Sequence, residues 1–479
     1  MTPSTLFYPG STTKSFTAAA VSLLIDDTVN SSTPLTWQTQ ISSIIREDFV
    51  LPDEYSTFHV TLEDALSHRT GMPRHDFSYG GPNFTVRDAV RSLRYLPLTA
   101  EIRTKFQYCN LMYVVVSHAI ETITKSWLGD VLFERIWKPL GMFNTFFSLE
   151  DAEAAVSAGK ASLARGYMWL NNTQEYAGVP YIDETAASGA GAVISNVLDY
   201  AKWLQCMMTM SPPLSQAGHP AVISPRIHSM IPDLPPFTGP ESYGLGWQIS
   251  IYRNEPLIWH GGGLTGFGAA MGYLPRRQWG VATMGNTAGT SNFVQQILVF
   301  QLIDDLLSTP ESERYNWTAS FEEALEQKNY NLRHAEERLY PDAPKKEDTL
   351  ALSLPLKSYT GLYSHPGYRN ITLTLINKNE TFSYSGPSLS HSRQLLHADV
   401  LDRTWPQIIN LHHVSGDYFL GHARFAILSN TSEASTDYLS DWDNMLPAEF
   451  RIGSNGKVTE MGLGNEPEMG KEKLWFRKI

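Results

Sequence analysis

Ser11 and Lys14 stand three residues apart in LFYPGSTTKSFTAAAVSLLIDD, where a turn containing Pro9 and Gly10 runs into an apolar helix. A serine hydroxyl is a weak nucleophile until a neighbouring base takes its proton. On a helix, positions i and i+3 share a face with β-carbons about 5–6 Å apart, so the lysine amine can reach the serine oxygen. The lysine must then be partly neutral, the form that burial favours. The helix start also sets backbone N–H groups beside Ser11, where an oxyanion would form. The same pair also reads as ordinary structure, with Ser11 serving as a helix cap.

Two further stretches carry groups suited to that chemistry. In FQYCNLMYVV, Tyr108 is of the type that takes a proton as general base and returns it to a leaving group, and Asn110 can hold a substrate amide or carbonyl. Their alternative reading is an aromatic core residue and a helix cap. In IWHGGGLTGF, Gly261, Gly262 and Gly263 let a substrate backbone approach a strand closely. The N–H of Gly263 is then the natural second oxyanion donor beside that of Ser11. The run Gly261–Gly266 also matches the dinucleotide pattern G-x-G-x-x-G, but a strand pattern follows it instead of a helix, so no nucleotide cofactor is expected. Neither the G-x-S-x-G elbow nor the H-E-x-x-H zinc motif occurs, and no metal is expected.

The elements that must place these residues are legible from periodicity. Residues 12–26 predict a helix with Phe16, Ala19, Ala20, Leu23 and Leu24 on one face. Thr61 is the predicted cap of a helix running to Ser67, and residues 111–123 predict an apolar helix directly after Tyr108-Cys109-Asn110. GMPRHDFSYGGPN reads as a long loop, and AASGAGAVISNVLDYAKWLQCMM as a small-residue loop leading into a helix capped near Ser195. Two strands follow, joined by Pro275-Arg276-Arg277, and then a helix over about 291–307. A charged stretch ending at Tyr340-Pro341 reads as a linker helix. Beyond residue 352, alternation between turn signals predicts a small all-β domain.

A chain of 479 residues exceeds one ordinary core, and 42% apolar with 18% charged residues describes a folded globular protein. A net charge of −12 without any basic stripe argues against a nucleic-acid partner. No apolar run has the roughly 18–20 residues of a membrane span. Cys109 and Cys206 are too few for a disulfide framework and read as buried thiols. Seven Asn-x-Ser/Thr sequons, at Asn30, Asn83, Asn171, Asn316, Asn370, Asn379 and Asn430, exceed the count expected by chance and point to a secretory history. MTPSTLFYPG, by contrast, has no signal-peptide pattern.

Taken in order, Ser-x-x-Lys, Tyr-x-Asn and His-Gly-Gly resemble the serine β-lactamase and penicillin-binding-protein superfamily. The similarity is to the branch that holds class C β-lactamases, D-stereospecific peptidases, and esterases and acyltransferases of that fold. GSTTKSFTAAAVSLL, TLEDALSHRTGMPRHD, FQYCNLMYVV, WKPLGMFNTFF, AASGAGAVISNVLDYAKWL, YGLGW and HGGGLTGFGAAMGYLP stand in the family's order over about residues 5–307. The tail resembles the lipocalin-like domain of some relatives. The implied architecture is an α/β (α+β) β-lactamase/transpeptidase-like domain over 1–318, with an antiparallel sheet flanked by helices. A linker over 319–350 and an all-β barrel over 351–479 follow.

The resemblance implies a cofactor-free acyl-enzyme on Ser11, with Lys14 and Tyr108 moving the proton and the N–H groups of Ser11 and Gly263 holding the oxyanion. Asn110, His260 and Gly262 would contact a small ester or amide. His260 stands where many relatives carry the lysine of Lys-Thr-Gly, which weakens carboxylate recognition and turns the expectation from β-lactamase towards peptidase, esterase or acyltransferase chemistry. A catalytically impaired member that binds ligands or partners is the alternative. In the family a helix and two strands precede Ser-x-x-Lys, and ten residues do so here. That leaves the last sheet strand, about 279–285, with an expected unpaired edge.

Overall fold

The computed structural model describes residues 1–81, 83–170, 174–230, 236–377, 394–428, 434–435 and 444–479. The sequon residues Asn171, Asn379 and Asn430 lie outside these, and the other four sequon asparagines are exposed. The chain forms two compact units. One comprises Met1–Arg74, Phe84–Trp169 and Tyr176–Asn316, and the other His75–Asn83, Leu170–Glu175 and Trp317–Ile479.

In the first unit, helix α1 (Thr13–Thr28) runs through the core, and every residue from Thr13 to Leu24 is buried. The sequence suggested one apolar face. The small residues Ala18, Ala19 and Ala20 instead let neighbours close in from all sides, as they do around a helix apolar all round. Helix α2 (Leu62–Leu66) starts in a capping box between Thr61 and Asp64. Helix α3 (Asn110–Thr124) follows Cys109, and α4 (Val197–Thr209) is capped by Asn196, one residue beyond the serine suggested by sequence. Cys109 and Cys206 are buried free thiols.

The central sheet has six antiparallel strands, β1 (Ile227–Met230), β2 (Glu241–Tyr243), β3 (Gln248–Tyr252), β4 (Glu255–Leu264), β5 (Phe267–Leu274) and β6 (Trp279–Gly285), in chain order across the sheet. Helix α5 (Thr290–Leu306) covers one face, where a β-carbon at Gly268 or Gly285 would meet Asn292 or Ser291. Met208 of α4 meets Gly280 on the opposite face, so β5 is buried along its whole length. Among the described residues β6 pairs only with β5, leaving its other edge without a strand. Val294, Leu298, Leu302 and Leu306 repeat every four residues along α5 as an exposed apolar stripe.

In the second unit, helices α6 (Trp317–Arg333) and α7 (Ala335–Leu339) occupy most of the stretch expected as a linker. Ala335 packs on Leu420 and Met445 of the barrel wall, and the Tyr340 hydroxyl donates to the Phe419 carbonyl at 2.6 Å. Eight antiparallel strands close the barrel: β7 (Gly361–His365), β8 (Arg369–Asn377), β9 (Gln394–Val400), β10 (Gln407–Ser415), β11 (Tyr418–Phe425), β12 (Asn444–Ile452), β13 (Val458–Leu463) and β14 (Leu474–Lys478). In β8, buried Ile371 and Leu373 alternate with exposed Asn370, Thr372 and Thr374, the period-two pattern of a wall with one wet face. Residues 75–83 belong to this unit: the His75 N–H donates to Glu466 Oε2 at 2.6 Å, and Tyr79 packs on Trp405.

Candidate active site

The turn that carries Ser11 is held by its own hydroxyl-rich sequence. Thr12 Oγ1 donates to the Pro9 carbonyl at 3.0 Å, Thr13 Oγ1 to the Gly10 carbonyl at 2.7 Å, and Ser15 Oγ to the Thr12 carbonyl at 2.9 Å. Trp203 Nε1 of α4 donates in turn to Ser15 Oγ at 3.1 Å. Each bond satisfies a buried polar group, so a rigid turn leads into α1. The cap position of α1 is Thr12, and Ser11 stands before it in the 3₁₀ turn. Ser11 Oγ lies 3.1 Å from Lys14 Nζ.

Lys14 is fully buried. Its Nζ donates to Asn110 Oδ1 at 2.8 Å and to the Ala190 carbonyl at 2.7 Å. Both oxygens can only accept, so they take two N–H groups whatever the protonation state. The Ser11 hydroxyl can give or take a hydrogen bond, and a neutral amine held in this way turns its lone pair towards it. Asn110, expected at the substrate, is bonded through its Oδ1 to the lysine.

Ala190 is placed by the small-residue loop. Thr17 Oγ1 of α1 donates to the Gly189 carbonyl at 2.8 Å, and the Gly189 N–H donates to Ser117 Oγ of α3 at 3.0 Å. A β-carbon at Gly189 would strike both hydroxyls, so the loop fits between the helices only with glycine there.

Glycine also sets the approach of β4. A β-carbon at Gly262 would overlap the Pro9 carbonyl oxygen and stand 3.1 Å from Ser11 N. One at Gly10 would stand 3.0 Å from Gly263 N. The strand backbone therefore lies directly against the Ser11 turn, with Asn292 Nδ2 donating to the Gly262 carbonyl at 2.8 Å. Ser11 is half-buried and Gly263 exposed.

The Tyr108 ring completes the cluster, with its centroid 4.8 Å from Lys14 Nζ and 5.0 Å from the Arg74 guanidinium. His260 is buried with both ring nitrogens engaged. Nδ1 donates to the Gly261 carbonyl at 2.6 Å, and Nε2 accepts from the Tyr243 hydroxyl at 2.9 Å. Burial, reinforced by Lys14, pushes its pKa down to about 3, so at neutral pH it brings no cation to the site. Every residue named from sequence — Ser11, Lys14, Tyr108, Asn110, His260, Gly262 and Gly263 — belongs to this neighbourhood. Sequence reasoning missed the Ala190 carbonyl, Tyr243, Arg74 and His68. Their blocks, AASGAGAV, YGLGW and SHRTGMPR, were visible, but long-range partners assign the individual atoms. Among the described residues, no group of three or more His, Cys, Asp or Glu side chains could hold a metal. No helix there is long and apolar enough to cross a membrane.

Residues 1–302 match the Beta-lactamase family, and residues 345–478 match a domain of unknown function, DUF3471. The whole chain is 40% identical to the unguisins hydrolase ungD' of Aspergillus campestris, over 84% of that protein. It is 38% identical to the unguisins hydrolase of Aspergillus violaceofuscus, covering 99% of this chain and 82% of that one. A D-aminopeptidase of Cereibacter sphaeroides is 27% identical over 36% of the chain and 32% of its own length. Among solved structures, the octameric penicillin-binding protein homologue of Pyrococcus abyssi aligns over 99% of this chain and 89% of its own, with a TM-score of 0.55 and 21% identity. The penicillin-binding protein of Bacillus halodurans aligns over 63% and 86%, with a TM-score of 0.52 and 16% identity. At these identities the structural likeness is one of fold.

Proposed function

The chain belongs to the beta-lactamase family and is a hydrolase of that fold, and from this premise we propose that it cleaves an amide bond through an acyl-enzyme on Ser11. The observation that carries this reading is the environment of Lys14 Nζ. It lies 3.1 Å from Ser11 Oγ and also donates to two acceptor-only oxygens, those of Asn110 and Ala190. The names of the relatives support the choice of substrate class: two are hydrolases of unguisins and one is an aminopeptidase. A substrate of the unguisin type is therefore the one to try first.

In the proposed sequence, Ser11 Oγ attacks the carbonyl carbon while its proton passes to Lys14 Nζ. The N–H groups of Ser11 and Gly263 receive the negative oxygen. Collapse breaks the C–N bond, and the amine leaves with a proton supplied through Lys14 and Tyr108. Water then attacks the ester, gives its proton to the same pair, and releases the acid and free Ser11. A charge-neutral His260 leaves an uncharged carbonyl, rather than a carboxylate, as the group this side of the site can accept.

Intact mass after exposure to a fluorophosphonate, an activated short-chain ester and a β-lactam tests the proposal, with Ser11→Ala in parallel. The expected result is a single adduct mapped to Ser11 and absent from the variant. A folded chain that none of the reagents labels would overturn it and leave the family's pocket as a ligand-binding one.

A further inference from the structure

His68 lies outside the set that moves protons or holds substrate, yet it touches the chain on both sides of Tyr108. It follows α2 in the left-handed conformation, with φ +59°, and is fully buried. That conformation is unusual for a residue with a β-carbon and persists where the surroundings enforce it. The enforcing groups are ionic. Asp64 accepts from Arg69 Nε at 2.7 Å and from Arg103 Nη2 at 2.8 Å, and the Arg103 N–H donates to the Arg69 carbonyl at 2.6 Å. Burial raises the Asp64 pKa, but the bonds from Arg103, Thr61 and Arg69 outweigh that and hold it below its usual value. The segment after α2 and the segment leading into α3 are thereby zipped together.

At the end of this zipper His68 makes two bonds that bracket one residue. Its carbonyl accepts from the Gln107 N–H at 2.8 Å, and its ring Nδ1 accepts from the Cys109 N–H at 3.0 Å. Its ring lies on that of Tyr108, 4.2 Å between centroids at 35°. Accepting at Nδ1 requires the tautomer with hydrogen on Nε2, and Nε2 has no hydrogen-bond partner among the described residues. A buried unpaired N–H costs about 1–3 kcal/mol, so packing alone would favour an apolar side chain. Burial, then Lys14, His260 and Arg74, hold the imidazole well below its ordinary pKa and keep the Nδ1 lone pair available.

We infer that His68 is a positioning residue: it fixes the Tyr108 backbone on both flanks and the ring on one face, and so holds the phenol in register with Lys14 and Ser11. This rests on the acyl-enzyme reading, in which Tyr108 helps to protonate the leaving amine. The consequence depends on the leaving group. A p-nitrophenolate departs without a proton and an anilide nitrogen does not, so loss of register penalises the anilide far more than the ester.

The test compares the p-nitrophenyl ester and the anilide of one acyl group. Asn in place of His68 puts an acceptor near the Nδ1 position, whereas Gln puts its polar end near Nε2 and withdraws the ring acceptor from the Cys109 N–H. His68→Gln is expected to lower kcat on the anilide about 100-fold and on the ester less than about 10-fold. His68→Asn should stay within about 10-fold on both. Tyr108→Phe should show the same leaving-group dependence, and adding His68→Gln to it should cost little more. Equal losses on both substrates, or losses that multiply with Tyr108→Phe, would reduce His68 to a structural residue and overturn the inference. If Gln at this position does not yield a folded chain by thermal melt, the comparison of Asn with wild type decides: a 100-fold loss confined to the anilide there would also reject the Nδ1 assignment. A wild-type chain that is not labelled at Ser11, or labels there and never cleaves the anilide, fails at the earlier reading and not at this one.

Discussion

Along the end of β4, Gly262 gives up a side chain so that strand backbone can lie against the Ser11 turn. The barrel does the reverse: Tyr359, Tyr363, Phe419 and Phe450 pack in tilted and edge-to-face pairs, with centroids 5.1–5.9 Å apart. Both regions are strand-built, yet they spend their space differently. In the first, backbone donors and buried polar groups must face an opening, so bulk is removed and a network of hydrogen bonds carries the order. In the second, closure of all eight strands leaves no edge to use, and apolar volume carries the order. Sensitivity to mutation should divide along the same line, with geometry limiting the site and volume limiting the barrel.

The largest effect is expected where backbone approach is closest. Gly262→Ala would drive a methyl group into the Pro9 carbonyl and displace β4 from Ser11. Fluorophosphonate labelling of Ser11 should slow about 10³-fold, equivalent to about 4 kcal/mol of lost transition-state stabilisation, while a thermal melt still reports a folded chain. Unchanged labelling would show that β4 does not form the oxyanion site.

Next comes volume. Phe450→Ala removes a ring that packs on three others and should cost about 3–4 kcal/mol of stability, read by urea denaturation of the intact chain. A loss below about 1 kcal/mol would mean that the barrel is not held together by its aromatic interior.

Acid should find the site by its charges. The pKa of His260 falls from 6.5 to about 3 on folding, so between these values the unfolded chain binds a proton that the folded chain does not. The contribution is full above pH 6.5 and is lost as pH falls towards 3, by about 1.5 kcal/mol between pH 6.5 and 5. Buried His68 adds in the same sense. Denaturation across this range should flatten in His260→Gln, and an unchanged slope would show that the histidine is not held neutral.

The smallest effect belongs to a glycine with open surroundings. Gly416 turns between β10 and β11 at φ +55°, and among the described residues nothing lies within 4 Å of an added β-carbon. Gly416→Ala should therefore cost only the backbone strain, about 1 kcal/mol, and leave Ser11 labelling as it was. An effect as large as that of Gly262→Ala would erase the distinction between the two regions.

What was legible in the sequence was local. The helix after Ser11, the Thr61–Asp64 cap, the two strands around Pro275 and the alternation of β8 follow from period and cap residues within a few positions. The candidate residues Ser11, Lys14 and Tyr108 could be named because their order along the chain resembles a family's. What only the tertiary structure decided was which atom meets which. Asn110 faces Lys14 because α3 packs on α1. The Ala190 carbonyl reaches the same amine because a glycine loop fits between them. His260 is neutral because it is sealed between Tyr243 and its own strand, and His68 brackets Tyr108 because an ionic zipper joins Asp64 to Arg103, 39 positions on, beneath it. Periodicity records which side of an element is buried. Hydrogen-bond partners and desolvation come from residues distant in the chain, and no local pattern encodes them.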